Sequence, residues 1–226
     1  KKIYLKIIYF LIKYHRIKTV VTSKYEKDTV IEYYGELNNI HIKPNKVSLK
    51  PRIEFLKKDK NQLKILFLSN ISWKKNFSFF YKVLMEINYR VEINVVGSIY
   101  INNRSFLKMV NNLKKKHNLN YQGFISHNKI RKSIKNNHLM FLPTYDENFG
   151  HVIVETFMMS RPCLISTNTP WNDNIFYDAG FSIPLSEIES FKNAINYFYK
   201  MDQKSYNQVC KNSNKYIKEK IKFNNF

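Results

Sequence analysis

The stretch PTYDENFGHVIVETFMMSRPCLISTNTPW, residues 143–171, decides how the rest of this chain is interpreted. It holds two glutamates eight residues apart, Glu147 and Glu155, with the turn Phe149-Gly150 between them. Apolar residues follow Gly150 at helical spacing, so the turn opens into a helix. Backbone N–H groups at a helix start bind anions, and carboxylates accept hydrogen bonds from hydroxyl groups. The stretch therefore predicts a site for a phosphorylated sugar donor.

Each glutamate also has an ordinary structural interpretation. Glu147 is then a carboxylate that stabilises a helix start, and Glu155 is a surface residue. The apolar residues on both sides of Glu155 favour the functional interpretation. A carboxylate on a largely buried helix is costly unless a partner satisfies it.

Outside this stretch, short apolar strands alternate with amphipathic helices. Strands are predicted at residues 18–22, 39–42, 64–69, 91–96, 121–124, 138–142, 163–166 and 181–185. Helices are predicted at 77–87, 107–113, 126–134, 150–159 and after Asp202, and two more begin at capping boxes on Ser23 (ending near Gly35) and Ser186. This alternation predicts an α/β fold, a Rossmann-like parallel sheet with helices on both faces.

In such a sheet, ligands bind beyond the carboxyl ends of the strands. The loops at that edge are residues 69–75, 97–101, 123–126, 143–149 and 166–171. The first of them ends in Lys74 and Lys75, directly before Asn76 and a helix, where a lysine can meet a diphosphate as a point charge. In a chain this basic, two adjacent lysines also occur without a function.

The charge of the chain points to an anionic partner. It has 226 residues, with 38 Lys and Arg against 17 Asp and Glu, a net charge of +21. Nucleic acid, a phospholipid surface or a phosphorylated substrate would each fit, but a general bias towards Lys, Asn and Ile gives the same charge. The basic residues are spread out, and no RRM, KH or zinc motif is present, which leaves a nucleic-acid-binding protein as a minor alternative.

The first 18 residues, KKIYLKIIYFLIKYHRIK, predict a basic amphipathic helix that lies on a membrane or packs inside a larger protein. They lack a signal-peptide cleavage site. No stretch of the chain reaches the roughly 18 apolar residues that a membrane-spanning helix needs. The chain starts with Lys rather than Met, so we expect a fragment of a longer protein.

The remaining candidates for chemistry are few. Cys163 and Cys210 are expected to be small buried side chains rather than a disulfide framework. His127, His138 and His151 are expected near the ligand edge, with His138 in a structural role, and they lack the spacing of a metal site. Walker-type, Gly-x-Gly-x-x-Gly and Gly-x-Ser-x-Gly motifs are absent, which argues against P-loop NTPases, ordinary dehydrogenases and α/β-hydrolases.

Residues 147–151 (ENFGH) with Glu155, and then Pro162, 165–166 and 169–171, resemble the donor-binding half of a family 4 glycosyltransferase of GT-B fold. The Glu-x7-Glu signature follows residues 142–144 (LPT). The resemblance extends to 65–77, 95–97 and 121–124, and residues 20–45 resemble the last strand–helix–strand of the family's other half.

The resemblance implies a retaining, metal-independent and cofactor-free transfer from a UDP- or GDP-sugar to a surface glycan or lipid-linked precursor. It implies that Glu147 is the catalytic residue on the transferred sugar. Lys75 would contact the diphosphate, Glu155 the ribose, and the backbone of Phe149 and Gly150 the sugar and phosphate. The other donor-binding residues that it implies are Asn70, Gly97, Phe124, Asn148 and His151. A cytoplasmic protein with peripheral contact to the inner membrane face, and no nucleic-acid partner, is expected.

Three departures from the family pattern limit this expectation. Residues 69–70 are Ser-Asn where the family usually has Gly-Arg, and 160–162 are Ser-Arg-Pro without the small glycine before the proline. Third, only a remnant of the acceptor-side half is present. The predicted domains are this remnant (1–48), a linker (49–62), the donor-binding domain (63–202) and a C-terminal helix (203–226), so the acceptor site, and a catalytic histidine often found there, would be absent. The alternative function is therefore an inactive or partial donor-binding module.

Overall fold

A computed structural model of the chain describes residues 18–35, 39–43, 45 and 51–224, together with 7, 9–11 and 14. The predicted amphipathic helix at the N-terminus therefore lies largely outside the described residues. No helix in the described part of the chain is long and apolar enough to cross a membrane.

The described strands and helices alternate along the chain. The strands are β1 (Thr19–Val21), β2 (Ile40–Ile42), β3 (Lys64–Leu68), β4 (Glu92–Val96), β5 (Asn118–Tyr121), β6 (Leu139–Leu142), β7 (Cys163–Ser166) and β8 (Gly180–Ile183). The helices are α1 (Lys24–Tyr34), α2 (Phe77–Glu86), α3 (Asn103–Lys116), α4 (His127–Lys135), α5 (His151–Met158), α6 (Ile188–Lys200) and α7 (Gln203–Asn224). Short 3-10 turns cover Trp73–Lys75 and Asn174–Tyr177.

Six strands form one parallel sheet in the order β5-β4-β3-β6-β7-β8, while β1 and β2 form a separate parallel pair joined by α1. Side chains of β3 alternate between the two faces of the sheet, because successive residues of a strand point in opposite directions. Ile65 and Phe67 belong to the larger apolar core, whereas Leu66 and Leu68 pack with Ile134 of α4 on the other face. The predicted α/β fold class, a parallel sheet with helices on both faces, is confirmed.

Three predicted boundaries are wrong. β5 begins and ends three residues before the predicted 121–124, because Gly123 has a positive φ of 66° and ends extended pairing. β8 starts at Gly180, one residue before the predicted start. The backbones of Gly180 and Cys163 on the neighbouring strand approach so closely here that a Cβ at position 180 would lie 2.0 Å from the Cys163 carbonyl oxygen, so the position needs a glycine. α6 begins after Glu187 with no side-chain capping bond, so Ser186 does not form the predicted capping box.

Residues 51–59 have no regular secondary structure, yet they are fixed along the domain. The ammonium group of Lys58 donates to the carbonyl oxygens of Tyr199 (3.3 Å) and Met201 (3.1 Å) at the end of α6, and burial lowers its pKa to about 8. The guanidinium of the buried Arg161 donates to the carbonyl of Glu54 at 2.6 Å. The predicted domain boundaries stay a prediction.

Ser160 and Arg161, one of the noted departures from the family pattern, have a structural explanation. Ser160 has φ of 56°, the left-handed conformation that usually favours glycine. Its hydroxyl donates to the carbonyl of Arg52 at 2.7 Å, while Arg161 also binds the carbonyls of Lys135 (2.9 Å) and Asn137 (3.0 Å). Both side chains therefore tie residues 52–54 and the end of α4 to the end of α5.

The cysteines and the buried histidine are structural. Cys163 and Cys210 are free and buried, and burial raises the pKa of both thiols. His138 precedes β6 at the amino edge of the sheet, so the expectation that it lies near the ligand edge is wrong and its structural role is confirmed. Its Nδ1 accepts from the Lys64 N–H (3.0 Å), and its Nε2–H donates to the Lys57 carbonyl (2.8 Å).

His138 predicts a fall in stability at mildly acidic pH. Burial lowers its pKa to about 4 from 6.5, so the unfolded chain binds a proton first as the pH falls. The stabilisation is therefore complete above about pH 6.5 and is lost towards pH 4, by about 3 kcal/mol. Urea unfolding at pH 7.0, 5.5 and 4.5 should show a shallower fall for H138Q than for wild type, whereas H41Q on the exposed strand β2 should keep the wild-type slope. Equal slopes for H138Q and wild type would contradict this assignment.

Candidate functional site

A cleft of about 460 Å³ lies at the carboxyl edge of the sheet. Its walls come from the ends of β3 and β4, from four of the five predicted ligand loops, and from the first turns of α4 and α5. The lining residues are Leu68, Ser69, Asn70, Val96, Gly97, Phe124, Ile125, His127, Ile130, Glu147, His151, Val152 and Glu155. The fifth loop, residues 166–171, does not line the cleft.

Gly97 sets the distance between the loops after β3 and β4. It has φ of 144°, and a Cβ at this position would lie 1.9 Å from the carbonyl oxygen of Ser69. Its N–H donates to the carbonyl of Gly123 at 2.8 Å, and its own carbonyl accepts from the Tyr121 hydroxyl at 3.0 Å. Three strand ends are therefore joined by backbone contact at the floor of the cleft.

Gly150 begins α5 in a left-handed conformation, with φ of 75° and no side-chain capping bond. A Cβ here would lie 3.0 Å from the Cδ1 of Ile153 and 3.1 Å from the Cγ of Glu147. The first N–H groups of a helix have no acceptor within the helix, and His151 and Val152 place this helix start in the cleft wall. The site thus has the partial positive charge of a helix N-terminus.

Lys75 and Glu147 form an ion pair between the loops after β3 and β6. Both side chains are largely buried, with exposed fractions of 19% and 16%. The same two loops are joined next to the pair, because the carbonyl of Lys74 accepts from the Tyr145 N–H (2.7 Å) and from the Thr144 hydroxyl (3.0 Å). Sequence reasoning placed both residues at the site but did not predict that they contact each other.

Glu155 is the buried carboxylate of the cleft, at 9% exposure. His127, the first residue of α4, has its Nε2 at 3.2 Å from the Glu155 Oε1. The imidazole therefore holds one carboxylate oxygen in place. The sequence placed His127 at the ligand edge, since it follows the Ser126 helix start, but only the packing of α4 beside α5 makes it a partner of Glu155.

The residues singled out by the sequence fall into two groups. Six line the cleft: Asn70, Gly97, Phe124, Glu147, His151 and Glu155. The other four are not in the cleft lining but contact or adjoin residues that are: Lys75, Asn148, Phe149 and Gly150. The Phe149 ring is buried, 4.8 Å from the ring of His151 and 5.9 Å from that of Trp171, whose indole N–H donates to the Phe149 carbonyl. Within the described residues, no group of three or more His, Cys, Asp or Glu side chains is placed to hold a metal ion.

The family described as glycosyl transferases group 1 matches residues 50–216 of this sequence. This chain belongs to that family. The match covers β3 to β8 and every cleft-lining residue, so the cleft is part of the group 1 glycosyl transferase domain. No curated protein sequence matches the chain.

Solved structures with the same fold are glycosyltransferases of low sequence identity. A sucrose-phosphate synthase from Thermosynechococcus elongatus superimposes with a TM-score of 0.79 at 16% identity, over 97% of this chain and 57% of that one. Anabaena Alr3699/HepE in complex with UDP and glucose gives 0.78 at 16% identity, over 100% and 65%. An S. aureus TarM mutant in complex with fondaparinux, alpha-GlcNAc-glycerol and UDP gives 0.76 at 16% identity, over 95% and 43%. This chain thus spans between 43% and 65% of the length of these three structures.

The substitution G97A should disrupt the floor of the cleft. The added methyl group meets the Ser69 carbonyl, which is backbone and cannot rotate away, and the positive φ adds strain. We expect a loss of about 3 kcal/mol or more in the free energy of unfolding. The matched control is G35A at the end of α1, which has φ of 76° but no atom within 4 Å of the added Cβ, and should cost about 1 kcal/mol. Similar losses for the two variants in urea unfolding would refute the close-contact argument.

Proposed function

We propose that this group 1 glycosyl transferase domain binds a nucleotide sugar in the cleft and takes part in transferring the sugar to a glycan or lipid-linked precursor. The observation that carries the proposal is the meeting of three groups at one edge of the sheet. They are the buried carboxylate of Glu155, the start of α5 and the Lys75–Glu147 ion pair. Each suits a different part of a nucleotide sugar.

Glu155 suits the ribose. A carboxylate with two oxygens can accept hydrogen bonds from two neighbouring hydroxyl groups. His127 occupies one oxygen at 3.2 Å, which orients the carboxylate. The apolar lining residues Ile125, Ile130 and Val152 lie beside it in the cleft and offer a surface for the flat face of a base.

The α5 start and Lys75 suit the diphosphate. Backbone N–H groups at a helix start bind phosphate oxygens, and the helix dipole favours the negative charge. The ammonium of Lys75 has three N–H donors, so it can hold Glu147 and still donate to a phosphate. Asn70 stands where the family usually has an arginine, so in this chain more of the positive charge comes from Lys75 and α5.

The same groups suit the transfer step. A nucleoside diphosphate gains negative charge as its bond to the sugar breaks, and fixed positive groups stabilise that charge in the transition state. Lys75 and the α5 start supply this positive charge without a metal ion. Glu147, at the cleft wall next to both, would contact the transferred sugar. We propose retention of the anomeric configuration as part of this function.

The choice of nucleotide and the location rest on other observations. The TarM and HepE structures hold UDP with saccharide or sugar-derived ligands, which supports a UDP-sugar donor, with GDP-sugars as the second choice. The net charge of +21 suits an anionic lipid surface. We therefore propose a cytoplasmic protein that acts at the inner face of the membrane.

A donor-binding module without transfer activity is the second candidate. This chain covers 43% to 65% of the three structures named above, so their remaining parts have no counterpart in it. Assays of sugar transfer and of donor hydrolysis, each measured by the release of UDP or GDP, distinguish the two candidates. A chain that binds the donor but catalyses neither reaction supports the donor-binding module.

The Glu155 assignment predicts a selective loss of nucleotide affinity. Replacing Glu155 by Gln removes charge-assisted hydrogen bonds to the ribose and should weaken UDP binding roughly 10- to 100-fold. Calorimetric titration with UDP, GDP and their glucose conjugates measures this. The control E92Q removes a carboxylate from β4 that pairs with Lys64 at 3.2 Å, outside the cleft lining, and should bind as wild type does. Unchanged affinity in E155Q would overturn the ribose assignment.

Lys75 and Lys74 form a matched pair for testing the diphosphate. K75M should weaken UDP binding about tenfold but leave UMP binding nearly unchanged, because the lysine acts on the second phosphate. Lys74 is half exposed and pairs with Asp146 at 3.0 Å on the loop surface. K74M should therefore retain the wild-type ratio of UDP to UMP affinity. The same ratio in K75M and wild type would exclude Lys75 from the diphosphate site.

A further inference from the structure

The loop that carries Glu147 is held by α1, a helix more than 120 residues away in the sequence. The Ser23 hydroxyl donates to the Asn148 carbonyl at 2.9 Å. The Asn148 side-chain amide donates to the Glu26 Oε1, also at 2.9 Å. The backbone carbonyl and the side-chain amide nitrogen of Asn148 are thus bound by the N-cap and the first turn of a single helix, which belongs to the separate β1–α1–β2 unit.

The hydrogen bonds that Glu26 makes at the start of α1 orient its carboxylate for this contact. The Glu26 N–H donates to the Ser23 hydroxyl oxygen at 3.1 Å, as the Ser-x-x-Glu sequence predicts. Its Oε2 accepts from both the N–H (2.6 Å) and the hydroxyl (2.7 Å) of Thr22. Those two bonds fix the carboxylate and direct the other oxygen, Oε1, to Asn148. An ordinary helix cap needs only the first of these contacts, so the bond to Asn148 is additional.

Three consecutive residues of the loop are held by three different elements. Lys75 binds Glu147, α1 binds Asn148, and Trp171 binds the carbonyl of Phe149. Gly150 follows at once and begins α5. The first and third contacts come from the main sheet domain itself. The middle contact comes from the β1–α1–β2 unit, so it makes the shape of the loop depend on how that unit is seated.

We propose that Ser23 and Glu26 are positioning residues for the donor. By holding Asn148, they keep the neighbouring Glu147 directed into the cleft. Neither Ser23 nor Glu26 lines the cleft, so both act through Asn148. The donor role rests on the proposed function, whereas the holding of the loop does not.

The role predicts which part of the donor is affected. Glu147 faces the sugar, while Glu155 and His127 face the ribose from α5 and α4. Releasing Asn148 should therefore weaken binding of a nucleotide sugar more than binding of the nucleotide alone. A merely structural loss would reduce both affinities by the same factor.

Hydrogen exchange tests the holding of the loop without any ligand. In E26A, amides of residues 147–152 should exchange several-fold faster than in wild type, because one of the two hydrogen bonds from the α1 unit to Asn148 is lost. The control E32A removes a carboxylate from the exposed side of the same helix and should leave exchange at 147–152 unchanged. Unchanged exchange in E26A would overturn the proposal at its first step.

Calorimetry tests the donor role in the same variants. E26A should bind UDP-glucose about tenfold more weakly than wild type, with at most a twofold change for UDP, and E32A should match wild type. Equal loss for UDP and UDP-glucose would make Glu26 structural and overturn its positioning role. If the wild-type protein binds no nucleotide sugar, the proposed function and the donor role fail together, and the exchange data still decide whether α1 holds the loop.

A reciprocal exchange of side chains separates the contact from its charges. N148D alone sets two carboxylates against each other and should raise exchange at 147–152. In the double variant E26Q/N148D, the amide introduced on α1 can donate to the carboxylate introduced on the loop while its oxygen accepts from Thr22, and the net charge equals that of wild type. Exchange should return to near the wild-type rate, and the ratio of UDP-glucose to UDP affinity should recover from that of N148D. A double variant no better than N148D in both measurements would overturn the specific Glu26–Asn148 contact.

Discussion

The close backbone contact between Gly97 and Ser69 is the constraint on which the site depends. A side chain at Gly97 would overlap the Ser69 carbonyl at 1.9 Å, so only glycine allows the ends of β3 and β4 to approach so closely. This contact forms the floor of the cleft and leaves the starts of α4 and α5 as its walls. Parallel strands end at one edge of the sheet, so four of the five predicted ligand loops meet around this floor.

Polar groups are buried around this edge in a way that stabilises them. Glu147 pairs with Lys75, Glu155 contacts His127, and the Phe149 carbonyl accepts a hydrogen bond from the Trp171 indole. A buried carboxylate without such a partner would be costly. The partners also hold each group in a single orientation. Binding then costs less conformational entropy, because these side chains are already ordered before the ligand arrives. Stability and preorganisation therefore come from the same contacts.

At the opposite edge of the sheet, buried polar side chains also have hydrogen-bond partners, but those partners are backbone groups. His138 accepts one backbone hydrogen bond and donates another, and Lys58 and Arg161 donate to several carbonyls. Every one of these partners is a backbone group, so they join residues 52–58 to the sheet and to the helix ends. These three side chains are therefore bound by the backbone of the fold, whereas Glu155 and Glu147 face the cleft.

Periodicity was sufficient for the order of the elements but not for all of their ends. The apolar residues of β3, β4, β6 and β7 identified those strands within a residue or so, since each lies inside the sheet and most of its side chains are buried. β5 and β8 are the edge strands, and their bounds were set by Gly123 and Gly180, whose conformation depends on a neighbouring strand. The sequence favoured Ser186 as a helix cap because the pattern was present, but Glu187 takes that place.

The sequence by itself determined the fold class, the edge of the sheet at which the cleft lies, and six of the thirteen residues that line it. These follow from short-range patterns: strand and helix periodicity, a glycine at a turn, and carboxylates set at a fixed spacing on a loop and helix. Only the tertiary structure decided the pairs Lys75–Glu147, His127–Glu155 and Glu26–Asn148. Each joins residues that are far apart in the chain, and a hydrogen bond needs its two atoms placed within a few tenths of an ångström, which packing sets and spacing along the chain does not.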